Sequence, residues 1–435
     1  MTQTRRDFLG SAAGTGLGVL VLPGGLKAAP LDKLNMAFIG AMGRAGAHHG
    51  VAANENVVAL CDVDENHLTL AAKKFPNAKH YIDWRKLLDE EKQLDAIICC
   101  TTDFTHAFVT NWALNRNLHV YCEKPLANSV EEARTVRANY LKRKEKVATQ
   151  VGTQRHANEN FNRIAEKIWD GAVGELREVF AWGNRQIRGT DYLPAEGSPP
   201  ATLHYDLWLG PAPYHPYNPG YFGGCLKWNK YWDFGSGQVG DMGSHTMDLA
   251  WKVLDPELPT TVEGEGEKFN PAIAPVELHT SWTIPANEKR PAVRLHWYQG
   301  GMMPTAPDPK IDLKKIDHGA MFVGTKGFLV TGFNKHDLYP LPGGDLSHYT
   351  PRPKEKQLPA MGSFQGEWIK ACKGDRKTTC NFDYAGKLIE TMLLGLVAYR
   401  VGKKLTYDGK TGKTNDPEAD KLMKRDYRPG WTLDG

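Results

Sequence analysis

The chain has no apolar run long enough to cross a bilayer: its longest, Leu9 to Leu22, has about 14 residues, whereas a spanning helix needs about 20. It has no dense basic block either, and a formal net charge of +4 over 435 residues leaves no electrostatic case for nucleic acid as a partner. Cysteine is sparse and odd in number, at seven. No CxxC pair or Cys/His cluster has zinc spacing, so no structural metal is expected. Cys61, Cys99, Cys100 and Cys122 end apolar runs and read as buried free thiols. His48 and His49 are neighbours, and neighbours in a helix do not share a face. Internal repeats and low-complexity segments are absent. What remains, 41% apolar and 24% charged residues, is the composition of a globular chain of about two domains.

The first 34 residues stand apart from this. Arg5 and Arg6 precede the short apolar run, and "PGGLKAAP" follows it: a charged region, a hydrophobic region and a small-residue end. The paired arginines resemble a twin-arginine signal, by which proteins are exported already folded. The expectation is an exported or periplasmic protein, anchored to the membrane if the signal is retained, with no span in the mature chain.

From residue 35 short apolar runs alternate with helical stretches. "LNMAFIG", "VVALCDVD", "LDAIICCTT", "LHVYCEKP" and "VATQVGTQ" read as strands, and Ser129 with Glu132 forms a capping box for the helix between the last two. Alternating β and α with strands apolar on both faces predicts a doubly wound parallel sheet, a Rossmann-type α/β domain over 35–155. Beyond it the texture changes to longer strands joined by turns, "LREVFAWGN", "VELHTSWTI", "AVRLHWYQG" and "GAMFVGTKGFLVTG". This predicts a second α/β domain over 156–385 with a large, open, mostly antiparallel sheet. A helix and a polar tail with few apolar anchors complete the chain over 386–435.

The first turn is "GAMGRAG", with Gly40, Gly43 and Gly46, and Met42 where a strict G-x-G-x-x-G has its second glycine. It follows a strand and opens a helix, and Asp62 ends the next strand 22 residues after Gly40. A helix start offers free N–H groups to a pyrophosphate and an acid at that distance accepts from ribose hydroxyls, so the unit predicts dinucleotide binding by Gly40, Met42, Gly43, Arg44 and Asp62. Asp62 repels a 2′-phosphate and favours NAD; Arg44 can offset this by pairing with such a phosphate, so NADP is disfavoured.

Three segments, the glycine turn with "CDVD", "TTDFTHAFVTNWALNRNLHVYCEKPLA" and "GSGQVGDMGSHTMDLAW", resemble the glucose–fructose oxidoreductase / inositol dehydrogenase (Gfo/Idh/MocA) family over roughly residues 35–400. The resemblance implies a Rossmann domain and a second domain whose open sheet carries the substrate face and often the oligomer contact. It also implies NAD or NADP, and a polyhydroxylated substrate. Lys124 matches the lysine reaching nicotinamide ribose and substrate, Glu123 the acid beside it, and Pro125 the proline often preceded by a cis bond. Thr101, Thr102 and His106 match the strand end lining the cofactor. Asp241 and His245 match the acid and histidine facing the nicotinamide, and Gln154 and Arg155 lie where the interdomain crossover contributes contacts. Gly235-Ser236-Gly237 replaces the glycine triplet of many relatives.

Removing a hydride from a secondary alcohol needs a base, a donor for the alkoxide and a positioned acceptor. Asp241 and His245 stand at i and i+4, so a helix there would let the acid orient the imidazole. The aromatic stretch "HYDLWLGPAPYHPYNPGYFGGCLKWNKYWDF", with Trp208, Tyr221, Trp228 and Trp232, is a candidate wall for a sugar's C–H faces. An exported enzyme has no cytosolic NAD pool, which calls for a tightly held cofactor without net turnover. The expectation is an NAD(P)-dependent oxidoreductase acting on a sugar, glycoside or cyclitol, a homo-oligomer through its open sheet. Two alternatives stand beside it: an NAD-dependent glycosidase working by transient oxidation and elimination, and a non-catalytic sugar-binding or sensing protein.

Overall fold

The computed structural model describes residues 33–434, so the twin-arginine motif and most of the 1–34 segment lie outside the described residues. Six strands, β1 (Asn35–Ile39), β2 (Asn56–Cys61), β3 (Lys79–Tyr81), β4 (Ala96–Cys99), β5 (His119–Cys122) and β6 (Thr149–Val151), form one sheet in the order β3-β2-β1-β4-β5-β6. Every pairing in it is parallel. The central strands β4 and β5 are buried at every position, as a sheet covered by helices on both faces requires. Local signals set the helix starts: Asp64, Asp83 and Ser129 each accept a backbone N–H of the first turn that follows. The Ser129 cap differs from a simple box, because Glu132 Oε2 accepts from Asn128 N at 2.8 Å, one residue further out. Its other oxygen receives Arg425 and Tyr427 from the chain's end.

The second sheet has nine strands: β7 (Leu176–Gly183), β8 (Thr261–Gly266), β9 (Leu278–Ile284), β10 (Val293–Gln299), β11 (His318–Gly324), β12 (Gly327–Thr331), β13 (His336–Pro340), β14 (Leu405–Asp408) and β15 (Lys413–Thr414). Their order is β13-β12-β11-β7-β10-β9-β8-β14-β15, antiparallel throughout except for the β7–β10 pair. The fold is therefore the expected one, a doubly wound parallel sheet beside an α/β unit with a large, mostly antiparallel sheet. The 20-residue helix Phe382–Val401 packs between them in one apolar core that includes Val136, Trp282, Leu388 and Leu396.

The chain's end departs from the expected polar tail. Strands β14 and β15 extend the second sheet, and the last residues return to the first domain. Trp431 lies under the Arg85 guanidinium at 4.2 Å and beside Trp84, while Asn111 and Trp112 donate to the Leu433 and Thr432 carbonyls. The anchors are few in number but large, and backbone carbonyls, which sequence does not distinguish, supply the rest.

Candidate functional site

At the carboxyl edge of the parallel sheet the chain turns where β1, β2 and β4 converge. Gly40 has φ +81, and a Cβ there would stand 2.4 Å from the Cys100 carbonyl oxygen, so the approach admits only glycine. Gly43, at φ +65, faces the opposite condition: nothing lies within 4 Å of its Cβ position. The turn is thus closed on the sheet side and open on the other. Asp62 braces it, with Oδ2 accepting from Ala41 N at 2.9 Å and Oδ1 accepting from Asp64 N at 3.1 Å. His67 lies 3.2 Å from the same Oδ1, and that hydrogen bond raises the imidazole's pKa.

Two strand ends lie beside this turn. After β4, Thr101 and Thr102 lead into the helix His106–Asn115. His106 latches the two ends together, with Nδ1 2.7 Å from the Pro125 oxygen and Nε2 3.1 Å from the Thr101 oxygen. After β5, Glu123 turns inward: its Oε1 receives His48 Nε2 at 2.7 Å and Arg44 Nε at 2.9 Å. Burial pushes the Glu123 carboxyl up, but His48 and Arg44 outweigh it and hold it below the usual range. Glu123 therefore ties the helix that follows the glycine turn to the end of β5. Gly152 makes room for it, since a Cβ there would meet the carboxylate at 2.5 Å. The Lys124–Pro125 peptide is cis, and Lys124 points to the second domain, where its Nζ donates to Asp241 Oδ1 at 2.7 Å.

Asp241 sits in a π-helical turn, Val239–Gly243, ahead of the helix Ser244–Leu254. Its Oδ2 receives Arg185 Nη1. Burial works against the charged form, yet Lys124 and Arg185 keep the carboxylate below its ordinary pKa. This corrects the expected Asp241–His245 pair: a wide i→i+5 turn removes the i,i+4 alignment, and both carboxylate oxygens serve cations instead. His245 Nδ1 is buried without a partner. Burial first, then the charges of Lys124, Arg155, Arg44 and His318, hold its pKa well below the ordinary value, so the imidazole is neutral.

One cavity of about 760 Å³ joins these parts. Gly40, Met42, Gly43, Arg44, Asp62, Thr101, Thr102, His106, Glu123, Lys124 and His245 all line it, with Asp241 directly behind Lys124. Of the four aromatic residues expected on a substrate wall, Trp208 and Trp228 line the cavity. Tyr221 does not: it is fully buried in an aromatic core with Phe234 and Tyr231, its hydroxyl accepting from Leu193 N. Trp232 donates to the Asn270 carbonyl and packs under Arg400. An aromatic-rich loop must first build its own core, which takes Tyr221, while Trp232, half-buried, packs against the main core between the sheets. Arg155 stands over the Phe333 ring at 4.0 Å, behind Gln154, which does line the cavity.

Three residues were not legible as site residues. Asp103, lining the cavity and buried, has its carboxyl pushed up to about 6 by burial, against the opposing charges of His106 and Lys124. Cys225 lines the same space. Arg185 follows β7, 56 residues before the acid it pairs with. Asp103 and Cys225 lie inside "TTDFTH" and the aromatic stretch, within reach of local pattern, whereas Arg185 depends on tertiary proximity alone. Two buried sets of metal-type donors, Cys99 with His106 and Cys122, and His156 with Asp248 and Cys380, gather within 4.8 Å. Their histidines are engaged, His106 by two carbonyls and His156 by Asp248 at 2.9 Å. All seven cysteines are free thiols.

Comparison with known proteins agrees with this fold. Residues 34–153 match the model of an oxidoreductase family with an NAD-binding Rossmann fold, and residues 175–275 match its C-terminal α/β domain. Among curated relatives, an inositol 2-dehydrogenase/D-chiro-inositol 3-dehydrogenase of Lacticaseibacillus casei is 31% identical over 145 residues, 33% of this chain and 41% of that one. A glycosyl hydrolase family 109 protein of Akkermansia muciniphila is 27% identical over 186 residues, 38% and 36% of the two chains. The matched region spans about two fifths or less of these relatives. Among solved structures, a dehydrogenase of Bordetella pertussis in complex with NADH and UDP-GlcNAcA superimposes with TM-score 0.61 at 15% identity, covering 86% of this chain and 99% of that one. An aldose-aldose oxidoreductase of Caulobacter crescentus, complexed with glycerol, gives 0.58 at 16% identity, with 86% and 99% covered. With both of its domains matched and the cavity lying between them, the chain belongs to the Gfo/Idh/MocA oxidoreductase family.

Proposed function

We propose that this protein is an NAD-dependent oxidoreductase that removes a hydride from a hydroxyl-bearing carbon of a sugar, glycoside or cyclitol, around a cofactor it holds tightly. The single observation carrying this is the meeting of an ion-paired Lys124 and a neutral His245 on the cavity that the glycine turn opens into. The cavity suits a dinucleotide: Gly43 leaves open space beside a helix start, and Asp62 lies at the end of the neighbouring strand. Asp62 at the strand end repels a 2′-phosphate, and Arg44 Nε is already held by Glu123, which together favour NAD over NADP.

A bound nicotinamide supplies the hydride acceptor. Everything else is done by the chain. Neutral His245 takes the hydroxyl proton, its depressed pKa keeping it unprotonated at neutral pH. Lys124 Nζ donates to the same oxygen as negative charge develops there. Burial lowers the pKa of Lys124, but Asp241 more than restores it, so the ammonium stays charged. Asp241, clamped by Lys124 and Arg185, positions that donor rather than the base. Trp228 offers a ring face to the sugar's C–H groups.

The test uses the purified full chain. Ligand released by denaturation is identified by mass spectrometry, with NAD expected and NADP or nothing counting against the assignment. Adding sugars and cyclitols should then reduce the bound cofactor, read by its absorbance. The glycosidase alternative gains interest from the Akkermansia relative's name, and aryl glycosides separate it: aglycone release without added NAD, lost in Lys124→Ala, would establish it in place of the simple oxidoreductase. Export through the twin-arginine route and assembly through the open sheet belong to the same proposal. Cell fractionation of an Arg5→Lys, Arg6→Lys variant and light scattering of the purified protein test them.

A further inference from the structure

On the second-domain side of the cavity, next to its lining residues Gln154, Lys124 and His245, three cations (Lys124, Arg185 and Arg155) face two buried acids, Asp241 and Asp103, the latter acting on Lys124. Lys124 and Arg185 share a single carboxylate, Asp241. Arg155 has no carboxylate partner among the described residues; its guanidinium rests on the Phe333 ring, and the one charge that perturbs it is the like charge of Arg185. Phe333 also meets His318, at 6.4 Å between ring centres, and His318 is the residue opposite Gly183 in the β7–β11 pair. Arg185 follows two residues after Gly183. One end of the open sheet therefore gathers Arg155, His318 and Arg185 beside Lys124 and His245.

The surrounding charges do not cancel this. His245 is faced by Lys124, Arg155, Arg44 and His318, all cations or potential cations. His318 is faced by Arg185 and Arg155, against Asp317 and Asp241. Asp317 is exposed and Asp241 is already shared. The glycine turn has its own cation, Arg44, paired with Glu123, so the surplus is not needed there. Gln154 Oε1 and Asn184 Oδ1, one residue before each arginine, are buried without hydrogen-bond partners, which leaves acceptors for hydroxyl groups next to the unneutralised guanidinium.

We propose that the substrate is an acidic sugar or glycoside carrying a carboxylate, a uronate, whose acid group is received by Arg155 with Arg185 beside it. Guanidinium forks match carboxylates in two-point geometry, and a pair of them distinguishes an acid from the corresponding primary alcohol. This rests on the oxidoreductase reading above for its reaction, but not for its binding.

Calorimetry on the full chain with its bound cofactor compares glucuronate with glucose, and galacturonate with galactose. At least one uronate should bind about tenfold or more tightly than its neutral partner, the difference shrinking as salt is added. Arg155→Gln should remove most of that preference, and Arg155→Lys should restore part of it; melting temperature and cofactor content show whether each variant folds. If Arg155→Gln does not fold, the wild-type preference and its salt dependence decide. Equal binding of each pair, an Arg155→Gln loss that falls equally on acidic and neutral sugars, or tighter binding of glucose 6-phosphate than of glucuronate would overturn the proposal. Uronate binding without cofactor reduction overturns the oxidoreductase reading alone; cofactor reduction by neutral sugars with no uronate preference overturns this inference alone.

Discussion

Lys124 Nζ and Asp241 Oδ1 stand 2.7 Å apart across 117 residues of sequence, one at the end of a parallel strand and the other in a π-helical turn of the second domain. This ion pair crosses the boundary between the domains, so the site is complete only when both sheets are formed and docked.

Lys124→Ala should lower turnover by on the order of a thousandfold while cofactor content changes little, since the lysine acts on the reacting oxygen. It should also lower the melting temperature, because buried Asp241 keeps only Arg185. Steady-state rates alongside mass spectrometry of the released ligand check this. Loss of cofactor in the variant would make Lys124 a binding residue instead.

Asp241→Asn should move the alkaline limb of the rate profile to lower pH. Burial already lowers the Lys124 pKa, and the charge of Asp241 is the main force holding it up. Without that charge the ammonium loses its proton earlier. An unmoved alkaline limb would show that Lys124 does not control it.

Acid should weaken both activity and stability through His245 and Glu123. The His245 pKa is depressed in the fold, so above about pH 6.5 neither folded nor unfolded chain is protonated there. Below that value the unfolded chain gains a proton the folded one resists, and stability falls with pH. Glu123 is also depressed; its contribution is complete above its unfolded pKa and disappears as pH falls through the folded one. Turnover should decline only well below pH 6.5, with the first loss of stability preceding it. Melting temperature and rate measured over the same pH series check the order.

Gly152→Ala should destabilise the fold by roughly 3 kcal/mol or more, because the new methyl meets the Glu123 carboxylate, which Arg44 and His48 hold in place. Denaturant unfolding measures it, and Gly43→Ala is the contrast. There the Cβ meets nothing, so the cost is confined to the positive φ, while cofactor content should fall because the open face is narrowed.

Ending the chain before Arg425 should destabilise the first domain. Arg425 and Tyr427 leave Glu132, which is fully buried, and Trp431 leaves Arg85 and Trp84. A lowered melting temperature with a normal spectrum for the second sheet would follow from this arrangement; an unchanged one would contradict it.

Much of this molecule was legible in local pattern. Strands β1, β2, β4 and β5 are short apolar runs between turn residues, Ser129 caps its helix through its own side chain, and Gly40 to Asp62 has the spacing of a dinucleotide turn. Each is decided within a few residues, or within one βαβ unit whose geometry is fixed. Strand β3 and the last three strands, β13 to β15, were missed: "KHY" and "KT" have no apolar alternation and depend on their neighbours for pairing, while β14, which does alternate, has only four residues between β8 and β15.

By itself, therefore, the sequence determined the two kinds of sheet and which residues stand at the strand ends, because backbone preference and side-chain period act over short distances. Only the tertiary structure decided partnership. Asp241 went to Lys124 and Arg185 instead of His245, Glu123 went inward to Arg44 and His48, and Tyr221 and Trp232 went to the core. Among the described residues, Arg155 was left with no acid partner. Burial makes each unpaired charge or polar atom costly, so the partner that wins is the one the packed chain brings within reach, and that distance does not exist until the two domains close on each other.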